Sequence, residues 1–172
     1  MKGIDTESIN LMKKLEKNQV LNYLELKNGR RVVYLQHGLG GSSISWMVGK
    51  TESSLAKMLA DKGYDVWMGN SRGNYFSRGH KKYKPNEEEF WKFSIDDLSK
   101  DLIATLNFIT LKTGIYSFPY VGHSLGCSMI LLALSNTVNP DRIYLENKIS
   151  KIYCLAPVVF TVSVILKMMS NY

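Results

Sequence analysis

The chain has 172 residues, 45% of them hydrophobic and 22% charged, which fits one ordinary globular domain and excludes a disordered or fibrous chain. Its formal net charge of +7 is spread out, with Lys13, Lys14 and Lys17 in one segment and Lys81, Lys82 and Lys84 in another. No aromatic-rich basic stripe or DNA-binding motif accompanies that charge, so the sequence argues against nucleic acid as a partner and leaves room for transient contact with a membrane or lipid-droplet surface.

The N-terminal stretch MKGIDTESINLMKKLEKN has early acidic residues and no apolar core region, so it does not read as a secretory signal. Asp5 to Asn18 predicts a short helix with Asp5 or Thr6 as cap and Ile9, Met12 and Leu15 or Leu11 on one face. Val20 to Leu26 alternates, and Asn28-Gly29 is a hairpin turn signal. Arg31 to Gln36 (RVVYLQ) predicts a strand that ends at His37-Gly38-Leu39-Gly40-Gly41, a path suited to a glycine-rich backbone.

Ser53 to Lys62 predicts a helix closed by Gly63. Tyr64 to Met68 predicts a strand, followed by the polar loop GNSRGNYFSRGHKKYKP. A helix is expected from near Asn86, broken before Ser94. Ile95 to Lys112 continues with Leu98, Leu102, Ile103, Leu106, Phe108 and Ile109 buried, stopping at Gly114. Phe118 to Val121 predicts the next strand, Ser124 to Ser135 the next helix, and Lys151 to Ala156 a further strand. Cys127 and Cys154 make no disulfide framework and read as two buried apolar thiols. The longest apolar stretch, Ile152 to Leu166, is interrupted by Pro157 and too short to span a bilayer, so the chain is expected to be soluble. Strands alternating with helices from residue 31 onward predict βαβ crossovers and an α/β fold with a mainly parallel sheet, its chemistry at the C-terminal strand ends.

The stretch Gly122-His123-Ser124-Leu125-Gly126 has the form G-x-S-x-G between a predicted strand and an apolar helix, the setting of a nucleophile elbow. So tight a turn needs small flanks, and it lifts a hydroxyl off the sheet edge near a helix N-terminus that favours developing negative charge. The pentapeptide alone is weak, and a structural serine in a turn is the alternative; the flanking strand and helix strengthen the catalytic reading. The backbone N–H groups of Leu39 and Leu125 are the candidate oxyanion-hole donors, each able to contribute ~3 kcal/mol to a transition state. The alternative for the HGLGG loop is a simple turn. Gly38-Leu39-Gly40 does not complete G-x-G-x-x-G, because residue 43 is Ser, and Gly49-Lys50-Thr51 does not complete a phosphate-binding loop, because residue 44 is Ile. No metal or organic cofactor is implied.

These residues resemble the acid lipase family, which includes the gastric and lysosomal acid lipases. The matching stretches are LQHGLGGSSISW at 35–46, SLAKMLADKGYDVWMGNSRGNYFSRGH at 54–80, FWKFSIDDLSKDL at 90–102, FITLKTG at 108–114, YVGHSLG at 120–126 and KIYCLAPV at 151–158. The GYDVWMGNSRGN segment is more specific than the elbow. The resemblance implies an α/β-hydrolase fold, ester hydrolysis of neutral lipids such as triacylglycerols or sterol esters, Ser124 as nucleophile, and Leu39 and Leu125 at the oxyanion-hole positions. It also implies a lysosomal or secreted setting for the family. Leu125 stands where the family often has Gln, which leaves a backbone donor unchanged.

In this fold the triad runs Ser, then Asp or Glu, then His. The histidines here are His37, His80 and His123, all before Ser124. His123 should point away from the hydroxyl, His37 suits packing beside the oxyanion loop, and His80 should be exposed. Asp141 and Glu146 do not match the family's acid. The chain therefore reads as a truncated member: an N-terminal helix and hairpin strand over 1–30, a partial hydrolase core over 31–158, and the start of a cap over 159–172. The expectation is an ester hydrolase by family whose 172 residues alone lack acid and base. The alternatives are a non-catalytic lipid- or partner-binding remnant, or another serine hydrolase such as a thioesterase or peptidase.

Overall fold

The computed structural model describes residues 31–49, 53–135 and 141–158. The helix expected over 5–18, the hairpin at 28–29 and the cap segment from 159 lie outside the described residues. Four strands, β1 (Arg31–Gln36), β2 (Tyr64–Met68), β3 (Phe118–His123) and β4 (Ile149–Leu155), form one sheet in the order β2-β1-β3-β4. Every neighbouring pair is parallel. Parallel neighbours need long crossovers, and helices supply them: α1 (Leu55–Asp61), α2 (Ile95–Thr113), α3 (Leu125–Ser135) and α4 (Asp141–Lys148).

β1 shows why the sheet is covered on both faces. Val32 and Tyr34 pack with Leu102, Leu106 and Ile130 of α2 and α3, while Val33 and Leu35 pack with Ala56 of α1 and with Trp46. Side chains alternate along a strand, so a continuous apolar run such as VVYL is what a doubly covered strand requires. β1 and β2 have the predicted bounds, and β3 runs on to the residue before the elbow serine.

Helix ends follow local chemistry. Ser54 caps α1 by accepting the Lys57 N–H, and the left-handed Gly63 (φ +80°) turns the chain into β2. Ser94 and Asp97 form a capping box at the start of α2, with the Ser94 N–H donating to Asp97 Oδ2 at 2.9 Å. Gly114, at φ 75°, ends α2.

Two expectations need correction, and one element is added. The helix near Asn86 is a single 3-10 turn, Glu88–Trp91, where Trp91 Nε1 donates to the Pro85 carbonyl instead of the backbone continuing upward. Phe108 is not core: it is half exposed, edge-on to Trp67 with the Lys112 ammonium over its ring. The helix α4 was not anticipated at all. Its buried positions carry Leu145 and Lys148, and a lysine in an inward position breaks the apolar period. Lys148 Nζ donates to Asn107 Oδ1 at 3.0 Å and Thr110 Oγ1 at 2.7 Å, between the rings of Tyr116 and Tyr144. Among the described residues β4 is an edge strand, and Ile152, Tyr153 and Leu155 are exposed on it.

Candidate active site

Ser124 lies at the C-terminal end of β3, immediately before α3, with φ 49°. A non-glycine residue enters that left-handed region only when its surroundings hold it there. Here the Ser124 N–H donates to the Leu155 carbonyl at 2.9 Å, and the Ser124 carbonyl accepts the Cys127 N–H at 2.9 Å. The turn is thus fixed from β4 on one side and from the first turn of α3 on the other.

The flanking glycines are required by space. A Cβ on Gly122 would lie 2.8 Å from Cys127 N, and one on Gly126 would lie 2.5 Å from the Gln36 carbonyl oxygen. The start of α3 therefore rests directly on the end of β1. Gly126 is held there by Tyr120, whose hydroxyl donates to its carbonyl at 2.6 Å.

The same closeness brings the HGLGG loop to the serine. A Cβ on Gly38 would lie 3.0 Å from Ser124 Cβ and 2.9 Å from His123 Nδ1. Leu39 follows with its side chain half exposed, while Leu125 is buried. As the first residue of α3, Leu125 has an N–H that no preceding helical turn can accept. Ser124, Leu39 and Leu125 thus gather at one sheet edge.

His37 is buried and holds this loop in place. Its Nε2 accepts the Ser71 backbone N–H at 3.1 Å and lies 3.2 Å from Asn74 Nδ2, while Nδ1 is 2.7 Å from the Gly38 carbonyl. A backbone N–H can only donate, so Nε2 is the acceptor and Nδ1 carries the proton toward Gly38. Burial lowers the His37 pKa, and the Gly38 contact offsets part of that shift. Around it, Gln36 Nε2 donates to Ser71 Oγ at 3.0 Å, and Asn70 Oδ1 accepts the Ser43 N–H at 2.9 Å. These bonds tie the HGLGG loop to the loop after β2. The sequence marked that stretch only as a polar loop; the clustering of Asn70, Ser71 and Asn74 just past a strand end was the available signal.

The other two histidines are placed elsewhere. His80 is exposed, stacks on Tyr83, and accepts the Lys82 and Tyr83 N–H groups at Nδ1. His123 is exposed beside Gly38. Among the described residues, no histidine is hydrogen-bonded to the Ser124 hydroxyl. A cleft of about 550 Å³ lies between the loop after β2 and α2, lined by Arg72, His80, Phe90 and Asp101, and it does not include Ser124. Among the described residues no cluster of three or more His, Cys, Asp and Glu could hold a metal ion, and no helix is long and apolar enough to cross a membrane.

Comparison with known proteins agrees with this geometry. A family model described as the alpha/beta hydrolase fold matches residues 31–170. The chain is 52% identical over 130 residues to gastric triacylglycerol lipase of Rattus norvegicus, covering 75% of this chain and 32% of that protein. It is 51% identical over 128 residues to lipase member K of Homo sapiens, covering 74% of this chain and 31% of that protein. It is 46% identical over 133 residues to human lysosomal acid lipase/cholesteryl ester hydrolase, covering 77% and 32%. The chain thus spans about a third of the length of these relatives. Among solved structures, a probable hydrolytic enzyme from Pseudomonas aeruginosa superposes with a TM-score of 0.51 at 19% identity, covering 74% of this chain and 33% of that one. That likeness is one of fold. With the doubly covered parallel sheet, the serine at its C-terminal edge and a family match over residues 31–170, the chain belongs to the alpha/beta hydrolase fold family.

Proposed function

We propose that Ser124 is the nucleophile of a lipase or related carboxylic ester hydrolase acting on neutral-lipid esters. The observation that carries this reading is the left-handed Ser124 packed against Gly38, with the Leu39 loop and the first turn of α3 on either side. A hydroxyl so placed attacks an ester carbonyl, and the N–H groups of Leu39 and Leu125 receive the charge that develops on its oxygen. Collapse of that adduct expels the alcohol and leaves an acyl group on Ser124, which water then releases. The likeness to triacylglycerol and cholesteryl ester hydrolases supports a neutral-lipid substrate. Exposed Leu39, Ile44, Met47 and Val48 beside the site would favour contact with a lipid surface.

No histidine follows Ser124, and His37, the buried one, already has both ring nitrogens engaged within the loop scaffold. The general base and its acidic partner are therefore supplied from outside these residues, and the 172 residues alone turn over ester poorly or not at all. A non-catalytic lipid-binding role is the second reading, favoured by the absence of a described base at the hydroxyl. Reaction with a fluorophosphonate, followed by peptide mapping, tests the nucleophile: slow labelling confined to Ser124 and lost in Ser124→Ala is expected. Labelling that survives Ser124→Ala would overturn the assignment. Brisk hydrolysis of a short-chain ester by this chain alone would overturn the claim about the base.

A further inference from the structure

A second piece of chemistry lies directly beneath the elbow. In the parallel register of β3 and β4, Cys154 stands opposite Gly122. Gly122 has no side chain, so Cys127, in the first turn of α3, packs directly over it: the Cys127 N would lie 2.8 Å from a Gly122 Cβ, and its Sγ donates to the Gly122 carbonyl at 3.1 Å and lies 3.5 Å from the Leu155 carbonyl. The strand register and these two contacts place the thiols side by side, one from a helix and one from a strand. Both are free, Cys127 buried and Cys154 half-buried, and the chain contains no other cysteine.

We propose that Cys127 and Cys154 form an oxidation site, joined as a disulfide by exchange with a low-molecular-weight disulfide such as oxidised glutathione. Cys154 is the point of entry because it is the one reached from solvent. Its thiolate attacks one sulfur of the small disulfide, forming a mixed disulfide and releasing one small thiolate. Cys127 then gives its proton to water, attacks Cys154 Sγ and expels the second small thiolate. Two protein thiols are oxidised, one small disulfide is reduced to two thiols, and no other oxidant is needed. Burial pushes the Cys127 thiol up to about 12, so the second step is the slow one and quickens with rising pH. The bridge would lock the first turn of α3 to β4, the same two elements that hold the Ser124 backbone. It is independent of whether Ser124 turns over an ester.

The test uses the reduced full chain, incubated natively with oxidised glutathione, quenched in acid and mapped without reductant. The expected product is a monomer lighter by two hydrogens, with the Cys127 and Cys154 peptides linked, reached through a transient glutathione adduct on Cys154. Its thermal midpoint should rise by about 5 °C over the reduced chain and fall back on reduction. Cys127→Ser should stop at a stable Cys154 adduct, and Cys154→Ser should not react while folded. A persistent adduct on Cys154 in the parent chain, a disulfide-linked dimer, or two thiols still free after incubation would each overturn the proposal.

Discussion

The imidazole of His37 accepts the backbone N–H of Ser71 at 3.1 Å, joining loops from β1 and β2 that are 34 residues apart in sequence. The proton on Nδ1 turns toward the Gly38 carbonyl, so this one ring sets the direction of the backbone that precedes Leu39. The bond exists only while Nε2 is unprotonated.

That requirement gives a pH dependence. Burial holds the folded-state pKa of His37 below its ordinary 6.5. Below 6.5 the unfolded chain takes up a proton that the folded chain resists, so His37 contributes less stability as pH falls through that value. His37→Gln, which cannot titrate, is expected to flatten the decline in thermal midpoint between about pH 7 and pH 5. An unchanged slope would place the acid sensitivity elsewhere. Asn74→Ala, removing the neighbouring donor, is expected to cost ~1 kcal/mol in urea unfolding.

Gly126 has no room for a side chain. A Cβ there meets the Gln36 carbonyl oxygen at 2.5 Å and the His37 carbonyl oxygen at 3.0 Å, and this backbone cannot turn aside as a flexible side chain would. Gly126→Ala is expected to destabilise the chain by ~3 kcal/mol by overpacking, measured by denaturant unfolding. Gly79→Ala, with open space around it, serves as the comparison and should lie within about 0.5 kcal/mol of the parent.

Ser124 combines backbone strain with the proposed nucleophilic role, and two substitutions separate them. Both Ser124→Ala and Ser124→Gly remove the hydroxyl and should abolish phosphonate labelling. Glycine tolerates φ 49° at little cost, so the glycine variant is expected to be the more stable of the two by ~1 kcal/mol. Equal stabilities would mean that the turn relaxes when the hydroxyl is lost.

Lys148 is fully buried, and among the described residues its hydrogen-bond partners include no carboxylate. Burial lowers its pKa from 10.5 to about 7. Between those values the unfolded chain keeps a proton that the folded chain gives up, so stability rises with pH across that window and is poorest below about 7. Lys148→Met is expected to stabilise the chain by ~2 kcal/mol near pH 6, the gain shrinking toward pH 10. Thermal unfolding of both proteins across that range checks the sign. A destabilised variant at low pH would mean that Asn107, Thr110 and the two tyrosine rings outweigh burial.

Much of this architecture was legible from residue order alone. RVVYLQ and YDVWM are short β-rich runs with a glycine one or two residues beyond, and each became a strand with those bounds. The elbow was legible because its constraints are local: Gly122, Ser124 and Gly126 meet within one turn. The scaffold around His37 was not, because its bonds cross about 34 residues and involve polar side chains with no period to reveal them. α4 was hidden for a different reason, since Lys148 points inward where a pattern search expects an apolar residue. Phe108 was misplaced because spacing gives a helix face but not the width of what covers it. The contact between Cys127 and Cys154 depends on strand register, which composition cannot supply.

The bond from the Ser124 amide to the Leu155 carbonyl separates the motif from the smallest piece of chain that holds its shape. A chain cut after α4 would retain every letter of G-x-S-x-G and lose the acceptor that keeps its serine upright. Screens that score the pentapeptide alone would count such a product as a hydrolase. Residue 155 is a better boundary than residue 126 for shuffling, splitting or transplanting this turn.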